Sequence, residues 1–264
     1  ELIKPSKIEF IEDNDISSAL KTGGSIDIRQ RSFSSVQSDL TIRGGSFDQN
    51  LVLINGINLS DPQTGHHNLN LPINNSDLEA IEIVYGPSAK TFGANALTGA
   101  VNFITKIPQK NFITLNLATG SFNTYNGNLQ IGYKTKKISH YFSTNYSQSD
   151  GFEYNTDFSR LSLYYENNIN LGVIKLKTMG CFINKSFGSL NFYTPAFADQ
   201  FEHIKSHFGA VKISGGNSIK ISANAYFRNF WDRFELFREH ENFYSKENFG
   251  WINTNKQDTI TWYS

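Results

Sequence analysis

The segment from Ser60 to Asn70 holds the densest group of side chains that could bind a polar ligand or a metal ion. Its hydrogen-bonding residues are Asp61, Gln63, Thr64, His66, His67 and Asn68. The adjacent histidines could hold a metal ion or haem, but neighbouring side chains of a strand point to opposite faces, and no third ligand is evident. We therefore favour hydrogen bonds to solvent or to a polar ligand over direct metal ligation.

Three acidic residues, Asp150, Glu153 and Asp157, lie close together in a second stretch that is predicted to be a loop. Carboxylate oxygens are ligands that Ca²⁺ prefers, but three carboxylates are few for an ion that takes about six to eight oxygens. Calcium is thus a candidate ion for this loop, although a solvated loop is favoured. No other cofactor is predicted.

Sequence signatures of enzymes are absent. The chain has no Gly-x-Ser-x-Gly, no His-Glu-x-x-His and no glycine-rich loop that ends in Lys-Ser or Lys-Thr. The single Cys181 excludes an internal disulfide and a multi-cysteine zinc site. Because 24 basic residues balance 24 acidic ones, there is no basic surplus for nucleic acid. Neither catalysis nor nucleic-acid binding is predicted.

The chain changes texture near Pro108, and the part before it is predicted to be mixed α/β. In the run Leu51–Leu59, Asn55-Gly56 lies between apolar residues, which is the strongest short signal for a hairpin because both residues tolerate positive φ. The other predicted elements are strands at Ile8–Ile11, Ile26–Ile28, Ile81–Tyr85 and Ala100–Thr105, a helix at Ile16–Leu20 and helical turns around Ser88–Leu97.

After Pro108, apolar and polar residues alternate with the period of two that is typical of strands. Short and long connections between these strands also alternate. The short ones are Thr135–Lys137, Asn168–Gly172 and Gly215–Asn217, and the long ones are Asp150–Asp157, Lys185–Lys205 and Phe234–Lys256. This arrangement is typical of an outer-membrane barrel, which has tight periplasmic turns and long outer loops.

A soluble β-sandwich is the alternative for this half, because alternating strands alone do not exclude it. Against the sandwich stand predicted strands of about ten residues or more, compared with a usual mode of about five or six. The chain is also rich in aromatic residues (14%) at a low mean hydropathy of −0.38. Trp231, Trp251 and Trp262 suit an interfacial girdle or an ordinary core. No apolar run approaches the ~18 residues of a membrane-spanning helix.

Four linked motifs before Pro108 carry a family resemblance. In order, they are Asp39–Gly45 (DLTIRGG), Leu51–Gly56 (LVLING), Ile81–Pro87 (IEIVYGP) and Phe92–Thr105 (FGANALTGAVNFIT). Together they resemble the plug domain of TonB-dependent outer-membrane receptors, and among these the branch of cobalamin (vitamin B12) and siderophore receptors. Asn55 departs from the family's usual Asp, at a position where Asn-Gly makes the same turn.

The resemblance implies a fold of two parts. A mixed α/β plug domain is expected at residues 1–108, and antiparallel transmembrane β-barrel strands at residues 109–264. Plugged transporters have about 22 strands, whereas about eight strand starts are counted here, so an incomplete barrel is expected. A signal peptide and the family's TonB box are not found, and the chain is expected to be a mature or truncated form.

The resemblance also implies a function and partners. The expected function is active import of a scarce nutrient, foremost cobalamin or a ferric siderophore, through the outer membrane of a Gram-negative bacterium. TonB with its inner-membrane energising complex would drive it, outer-membrane lipid would surround it, and a surface lipoprotein is a further candidate partner. The alternatives are a surface-sensing or signalling receptor of the same fold, and a truncated fragment that does not transport.

Two segments resemble the substrate-facing apices of the family's plug, at about residues 31–38 and 60–70. The candidate substrate-binding residues are Ser32, Ser34, Ser35, Gln37, Asp61, Gln63, Thr64, His66, His67 and Asn68. Arg43 and Glu82 are the candidate plug latch, since such charges in the family pair with each other or with the barrel wall. An ordinary stabilising ion pair is the alternative for these two residues.

Overall fold

The structure, a computed structural model, describes residues 1–4, 16–31, 36–61, 64–86, 96–238 and 257–263, the last range as backbone. The chain divides into two compact units, Glu1–Gln109 and Lys110–Ser264. Each unit contains its own sheet. Within the described ranges, no helix has the length and apolar character needed to cross a membrane.

The first unit is mixed α/β. Its helix is α1 (Ile16–Leu20), and its strands are β1 (Leu2–Ile3), β2 (Ile26–Gln30), β3 (Ser38–Ile42), β4 (Asn50–Ile54), β5 (Ile57–Asn58), β6 (Leu78–Tyr85) and β7 (Gly99–Thr105). Five strands form one sheet in the order β1-β6-β7-β4-β5, with β4 parallel to β7, and β2 pairs with β3 in a separate antiparallel ribbon.

The core of this unit lies on the continuous apolar runs of its central strands. All five residues of β4 are buried, as are six of the seven in β7. A strand that is covered on both faces needs apolar side chains at successive positions, so it lacks the alternation of a half-exposed strand. Leu51, Leu53, Ala96 and Ala100 form a cluster against which Val84 packs.

The predicted Asn55-Gly56 hairpin is confirmed. Both residues have positive φ (53° and 79°) and join β4 to β5, an antiparallel pair. The Asn55 amide also donates through Nδ2 to Thr105 Oγ1 (2.8 Å) and accepts the Thr105 N–H (3.2 Å). An ionised aspartate could accept but could not donate. Asparagine therefore makes two bonds to Thr105 here, and the one that it donates is beyond an ionised aspartate.

The other predicted elements of the first unit have mixed outcomes. The helix at Ile16–Leu20 is confirmed, as are strands over the predicted residues of β2, β6 and β7. Periodicity did not predict β3, in which four of five residues are buried. The predicted strand Ile8–Ile11 and most of the predicted turns at Ser88–Leu97 lie outside the described residues.

The second unit is a single antiparallel sheet in which each strand pairs with the next along the chain. Its strands are β8 (Phe112–Gly120), β9 (Thr124–Lys134), β10 (Ile138–Ser149), β11 (Phe158–Asn170), β12 (Ile174–Gly188), β13 (Phe201–Gly215), β14 (Ile221–Glu235) and β15 (Gln257–Tyr263). Because the described part of this unit has one sheet, with strands up to 15 residues long, it is not a two-sheet sandwich. The count of about 22 strands stays a prediction.

The connections of this sheet fall into two sets at opposite ends. The turn end carries residues 135–137, 171–173 and 216–220, and the loop end carries residues 121–123, 150–157 and 189–200. The predicted loop Lys185–Lys205 was too long, because β12 continues to Gly188 and β13 begins at Phe201. Lys185 is a buried strand residue whose ammonium lies over the Phe187 ring (5.1 Å).

Exposed apolar side chains form a diagonal band across one face of the sheet. One cross-strand row aligns Ile113, Ile131, Phe142, Tyr165, Gly180, Gly209 and Phe227. From this row the exposed apolar residues of β8 continue toward the loop end (Leu115, Leu117), whereas those of β13 continue toward the turn end (Val211, Ile213). A level apolar band across strands that tilt within a barrel would have this diagonal register.

The opposite face of the sheet is largely polar and buried. Its residues include Asn128, Gln130, Ser143, Asn145 and Glu166. The Glu166 carboxylate accepts from Tyr164 Oη (2.6 Å) and Asn168 Nδ2 (2.7 Å) and pairs with Lys177 Nζ (3.0 Å). A fully buried carboxylate is tolerated because each of these donors offsets its loss of hydration. An apolar exposed face and a polar opposite face are the pattern of a membrane barrel strand.

Candidate functional site

The loop from Ser60 to Asn70 is closed by its own side chains. The Asp61 N–H donates to Asn68 Oδ1 (2.7 Å), and Asp61 Oδ1 accepts the Thr64 N–H (3.2 Å). Thr64 Oγ1 in turn accepts the His66 N–H (3.3 Å) and caps the short 3-10 turn Gly65–His67. Asp61 and Asn68 are both buried. These predicted binding residues therefore fix the backbone of the loop.

Gly65 lets this loop approach the neighbouring turn closely. Its N–H donates to Asp48 Oδ1 (2.7 Å). A Cβ at this position would lie 2.6 Å from Asp48 Oδ1 and 2.7 Å from the Phe47 carbonyl oxygen. Any side chain would thus displace the loop, so glycine is required by close packing.

A buried carboxylate joins the loop to the β2–β3 ribbon. Asp39 in β3 accepts from Arg31 Nη2 (2.6 Å), and its other oxygen lies 2.6 Å from His66 Nδ1. The Phe47 ring stacks on the His66 imidazole with centroids 4.0 Å apart. We call these four residues the Asp39 cluster. It fixes the position of His66, whose side chain is 22% exposed.

Electrostatics keeps the Asp39 carboxylate charged. Burial by itself would raise the pKa of Asp39, but the hydrogen bonds and charges of His66 and Arg31 outweigh it and hold the pKa below its usual value of 3.8. At neutral pH the cluster therefore contains a fixed negative charge between two nitrogen donors. Its chemistry is that of a rigid polar recognition surface with an oriented imidazole.

The remaining predicted substrate-binding residues are placed differently. Gln37 is buried immediately before β3, and the buried His67 has Nδ1 3.1 Å from Asn70 Nδ2. The two histidines thus take separate partners. Ser32, Ser34, Ser35 and Gln63 lie outside the described residues.

Sequence reasoning missed Asp39 and Phe47 as partners of His66, and Arg31 as a partner of Asp39. A signal was present at Asp39, because a charged residue beside Leu40 and Ile42 in a buried strand needs a partner.

Two of the three acidic residues of the candidate calcium loop have separate partners. Asp157 forms a two-point ion pair with Arg238, with Oδ1–Nη1 at 2.6 Å and Oδ2–Nη2 at 3.0 Å. Asp150 Oδ2 accepts from Asn123 Nδ2 (2.6 Å). Among the described residues, these carboxylates and that of Glu153 are not gathered into a cluster of ligand atoms.

Comparison with known families bears on the first unit. Residues 2–100 match the family model described as the TonB-dependent Receptor Plug Domain. The chain carries a TonB-dependent receptor plug domain. A stretch of 125 residues is also 30% identical to the vitamin B12 transporter BtuB of Vibrio cholerae serotype O1, covering 47% of this chain and 20% of that protein. The chain thus spans about a fifth of the length of this curated relative.

Solved structures show the same fold for the plug domain and the strands that follow it. The siderophore receptor PiuA from Acinetobacter baumannii has a TM-score of 0.70 at 16% identity, over 89% of this chain and 36% of PiuA. The ferric citrate transporter FecA in the unliganded form has a TM-score of 0.74 at 13% identity, over 90% of this chain and 40% of FecA. At these identities the likeness establishes the fold alone.

The candidate latch residues of the plug domain are not paired with each other. The Arg43 guanidinium lies over the Tyr85 ring, 4.7 Å from its centroid, and the Glu82 carboxylate accepts from Asn102 Nδ2 (3.1 Å). Burial, with a hydrogen bond from Tyr85 to the Glu1 carboxylate (2.7 Å), raises the pKa of Tyr85 to about 12. Arg43 therefore faces a neutral phenol ring, and a latch role for these residues stays a proposal.

The Asp39 cluster predicts an acid-sensitive plug domain. The pKa of Asp39 is lower in the folded protein than its usual 3.8, so its stabilisation is fully present above pH 3.8 and is lost as pH falls through the folded value. We expect the difference in hydrogen-exchange protection of β3 between wild type and Asp39→Asn to shrink between about pH 5 and pH 2. A difference that is constant over this range would contradict the assignment.

Proposed function

We propose that this chain provides the plug and barrel strands of an outer-membrane importer of a Gram-negative bacterium, energised through TonB. The observation that carries the proposal is a TonB-dependent receptor plug domain followed directly by a long-stranded antiparallel sheet with an exposed apolar face. Import of this kind needs no covalent chemistry, because a ligand is released when its affinity differs between two states of the receptor.

The height of the apolar band supports a membrane location. In β14 the exposed face runs from Ile221 at the turn end to Trp231 near the loop end, a separation of 231 − 221 = 10 residues. At a rise of ~3.3 Å per residue and a tilt of ~40°, this run spans about 25 Å, the height of the apolar band of a membrane barrel. Trp231 would then lie at the membrane–water interface on the loop side of the sheet, and tryptophan favours such interfaces.

The residues at that interface have the expected amphipathic character. The ammonium of Lys205 lies 5.0 Å from the centroid of the Trp231 ring, and the His203 ring meets the same indole edge-on with centroids 5.0 Å apart. Basic and aromatic side chains together suit the headgroup region, since their stems and rings are apolar while their tips are polar. The loop end of the sheet, which carries the longer connections 150–157 and 189–200, would face the cell exterior, as the long loops of outer-membrane barrels do.

For the ligand, we propose cobalamin first and a ferric siderophore second. The support for cobalamin is the 30% identity to a vitamin B12 transporter over 125 residues. The support for a polar organic ligand in general is the Asp39 cluster, which holds an imidazole in one orientation. Gln37, Asp61, Thr64, His67 and Asn68 are proposed to support this surface from within, while His66 contacts the ligand.

Calorimetry tests the ligand assignment. Cyanocobalamin and a ferric siderophore are titrated separately into the detergent-solubilised receptor, and cyanocobalamin is expected to bind with the higher affinity. The control is His66→Ala, which is expected to weaken the favoured ligand about tenfold, as expected for one lost polar contact. Binding of neither compound would reject both ligands.

Uptake in cells that lack TonB tests the energising step. Uptake that is independent of TonB would reject the mechanism.

A further inference from the structure

Three connections at the loop end of the eight-stranded sheet meet at one arginine. Arg238 follows β14 and forms the two-point ion pair with Asp157 in the 150–157 connection. Its backbone N–H donates to the Asp199 carbonyl (2.9 Å) in the 189–200 connection. Its guanidinium also lies over the Phe201 ring, 4.4 Å from the centroid. One residue thus contacts both neighbouring connections and the start of β13.

Asn155 makes a second junction beside this arginine. Its Nδ2 donates to the carbonyls of Ala198 (2.8 Å) and Gln200 (2.7 Å), and its Oδ1 accepts from Arg238 Nη1 (3.2 Å). Asn155 has a φ of 52°, a left-handed conformation that asparagine adopts more readily than most residues. Its amide therefore ties the 150–157 connection to the 189–200 connection.

Close packing and backbone bonds reinforce the junction. The Gly188 N–H donates to the Asp157 carbonyl (2.9 Å), and the Leu190 N–H donates to the Asn155 carbonyl (3.3 Å). A Cβ on Gly188 would lie 2.4 Å from the Asn155 carbonyl oxygen, so only glycine permits this approach. The Phe197 and Phe237 rings meet edge to face with centroids 5.4 Å apart. Together these contacts join the 150–157 connection, the 189–200 connection and the residues that follow β14.

We propose that Arg238 is a positioning residue that joins these connections into one preassembled ledge for ligand capture. The ledge displays Phe152 and Tyr154, which are 56% and 64% exposed, beside the junction. Exposed aromatic side chains on a fixed support suit a large amphipathic organic ligand, because they add apolar contact with little loss of side-chain entropy. The capture step rests on the proposed import function, whereas the joining of the connections does not.

The physical reason for a preassembled ledge is the cost of ordering. Loops that become ordered only when a ligand binds oppose binding with their lost conformational entropy. Arg238 removes part of that cost in advance by holding the connections through Nη1 and Nη2 of its guanidinium and through its backbone N–H. A ligand then meets a surface that is already in its binding shape. The affinity of the receptor for the ligand therefore depends on Arg238, although Arg238 does not contact the ligand.

Spin labels test the joining of the connections directly. Labels are placed through Glu153→Cys and Ala196→Cys in a Cys181→Ala background, and the distance distribution between them is measured in the detergent-solubilised receptor. It is expected to be narrow in the parent and to broaden in Arg238→Ala. The matched control is Arg233→Ala, since the ion pair of Arg233 lies within its own strand, with Glu235. An unchanged distribution in Arg238→Ala would overturn the proposal.

Uptake kinetics test the effect on capture. With radiolabelled cyanocobalamin as the probe, Arg238→Ala is expected to raise the KM of uptake about tenfold at unchanged maximal rate, from the added cost of ordering. A general folding defect would instead lower the maximal rate with the amount of receptor. The charge swap Asp157→Arg with Arg238→Asp is expected to restore a narrow distance distribution. It is also expected to return the KM most of the way to the parent value. Broadening without a change in KM would overturn the capture role.

The two proposals fail in different ways. If the parent receptor takes up no cyanocobalamin, the proposed ligand is wrong, and the spin-label distances alone then decide whether Arg238 joins the connections.

Discussion

Replacing Asp39 with alanine is expected to cost about 3 kcal/mol of local stability in the plug domain, at the lower end of the range for breaking one side of a buried ion pair. The side chain of Asp39 is 5% exposed, and its removal takes the carboxylate partner from both Arg31 and His66. The lower end applies because Arg31 and His66 are themselves 13% and 22% exposed, so water offsets part of the loss.

Hydrogen exchange in the detergent-solubilised receptor measures this loss. A cost of about 3 kcal/mol corresponds to exchange faster by about a hundredfold. The increase is expected in the amides of β3 and of the Gly65–His67 turn, because Asp39 links these two segments. Asp39→Asn, which keeps one acceptor oxygen but no charge, should fall between wild type and alanine.

The same ribbon offers a matched control. Asp27 lies in β2, is exposed, and faces Thr41 across the pair. Asp27→Ala removes the same carboxylate from the same ribbon without breaking an ion pair between described residues, so it should change exchange by less than about threefold, as expected for an exposed site. Equal effects of the two substitutions would show that the Asp39 cluster does not fix this part of the plug domain.

The parts of the fold that were predictable from the sequence are those set by local chemistry. Asn55-Gly56 specifies a hairpin because two successive residues must have positive φ, and this requirement does not depend on distant contacts. The long strands after Pro108 were predictable for a similar reason, since alternation with period two is written in neighbouring residues. Their order in the sheet then follows from short connections between successive antiparallel strands.

The errors arose where long-range pairing decides the structure. Lys185 and Gly188 resemble loop residues, yet β12 continues through both because Lys185 pairs with Arg160 on one side and Ile204 on the other. The backbone bonds of two neighbouring strands outweigh the weak local preference against lysine and glycine. Such pairing cannot be read from a single segment.

The candidate site was predictable in location but not in the roles of its residues. Polar composition marked the Ser60–Asn70 loop, but composition does not distinguish a side chain that binds the loop's own backbone from one that faces a ligand. Asp61 and Asn68 do the first, since each bonds within the loop. Asp39 was missed as a partner because it approaches His66 from 27 residues away.

The second large effect is expected on the exposed face of the sheet. Val211 is 43% exposed and pairs with Thr178 and Ala225, in the apolar band between Ile213 and Phe227. Ala225 lies about midway between Ile221, where β14 begins, and Trp231. If this band spans the hydrocarbon layer, Val211 lies near its middle, where the hydration of a charged side chain is least available.

Val211→Arg is therefore expected to lower the free energy of unfolding in lipid vesicles by about 2–4 kcal/mol, the cost of arginine at the midplane of a membrane barrel. His203→Arg is the matched control on the same face of β13, where Lys205 already carries a charge near the proposed interface. Its cost should be below about 1 kcal/mol. If the exposed face of this sheet met water, both arginines would be harmless, because an exposed surface substitution changes stability by about half a kcal/mol or less. Equal, small effects at the two positions would thus remove the membrane assignment, and with it the import function, while leaving the plug domain in place.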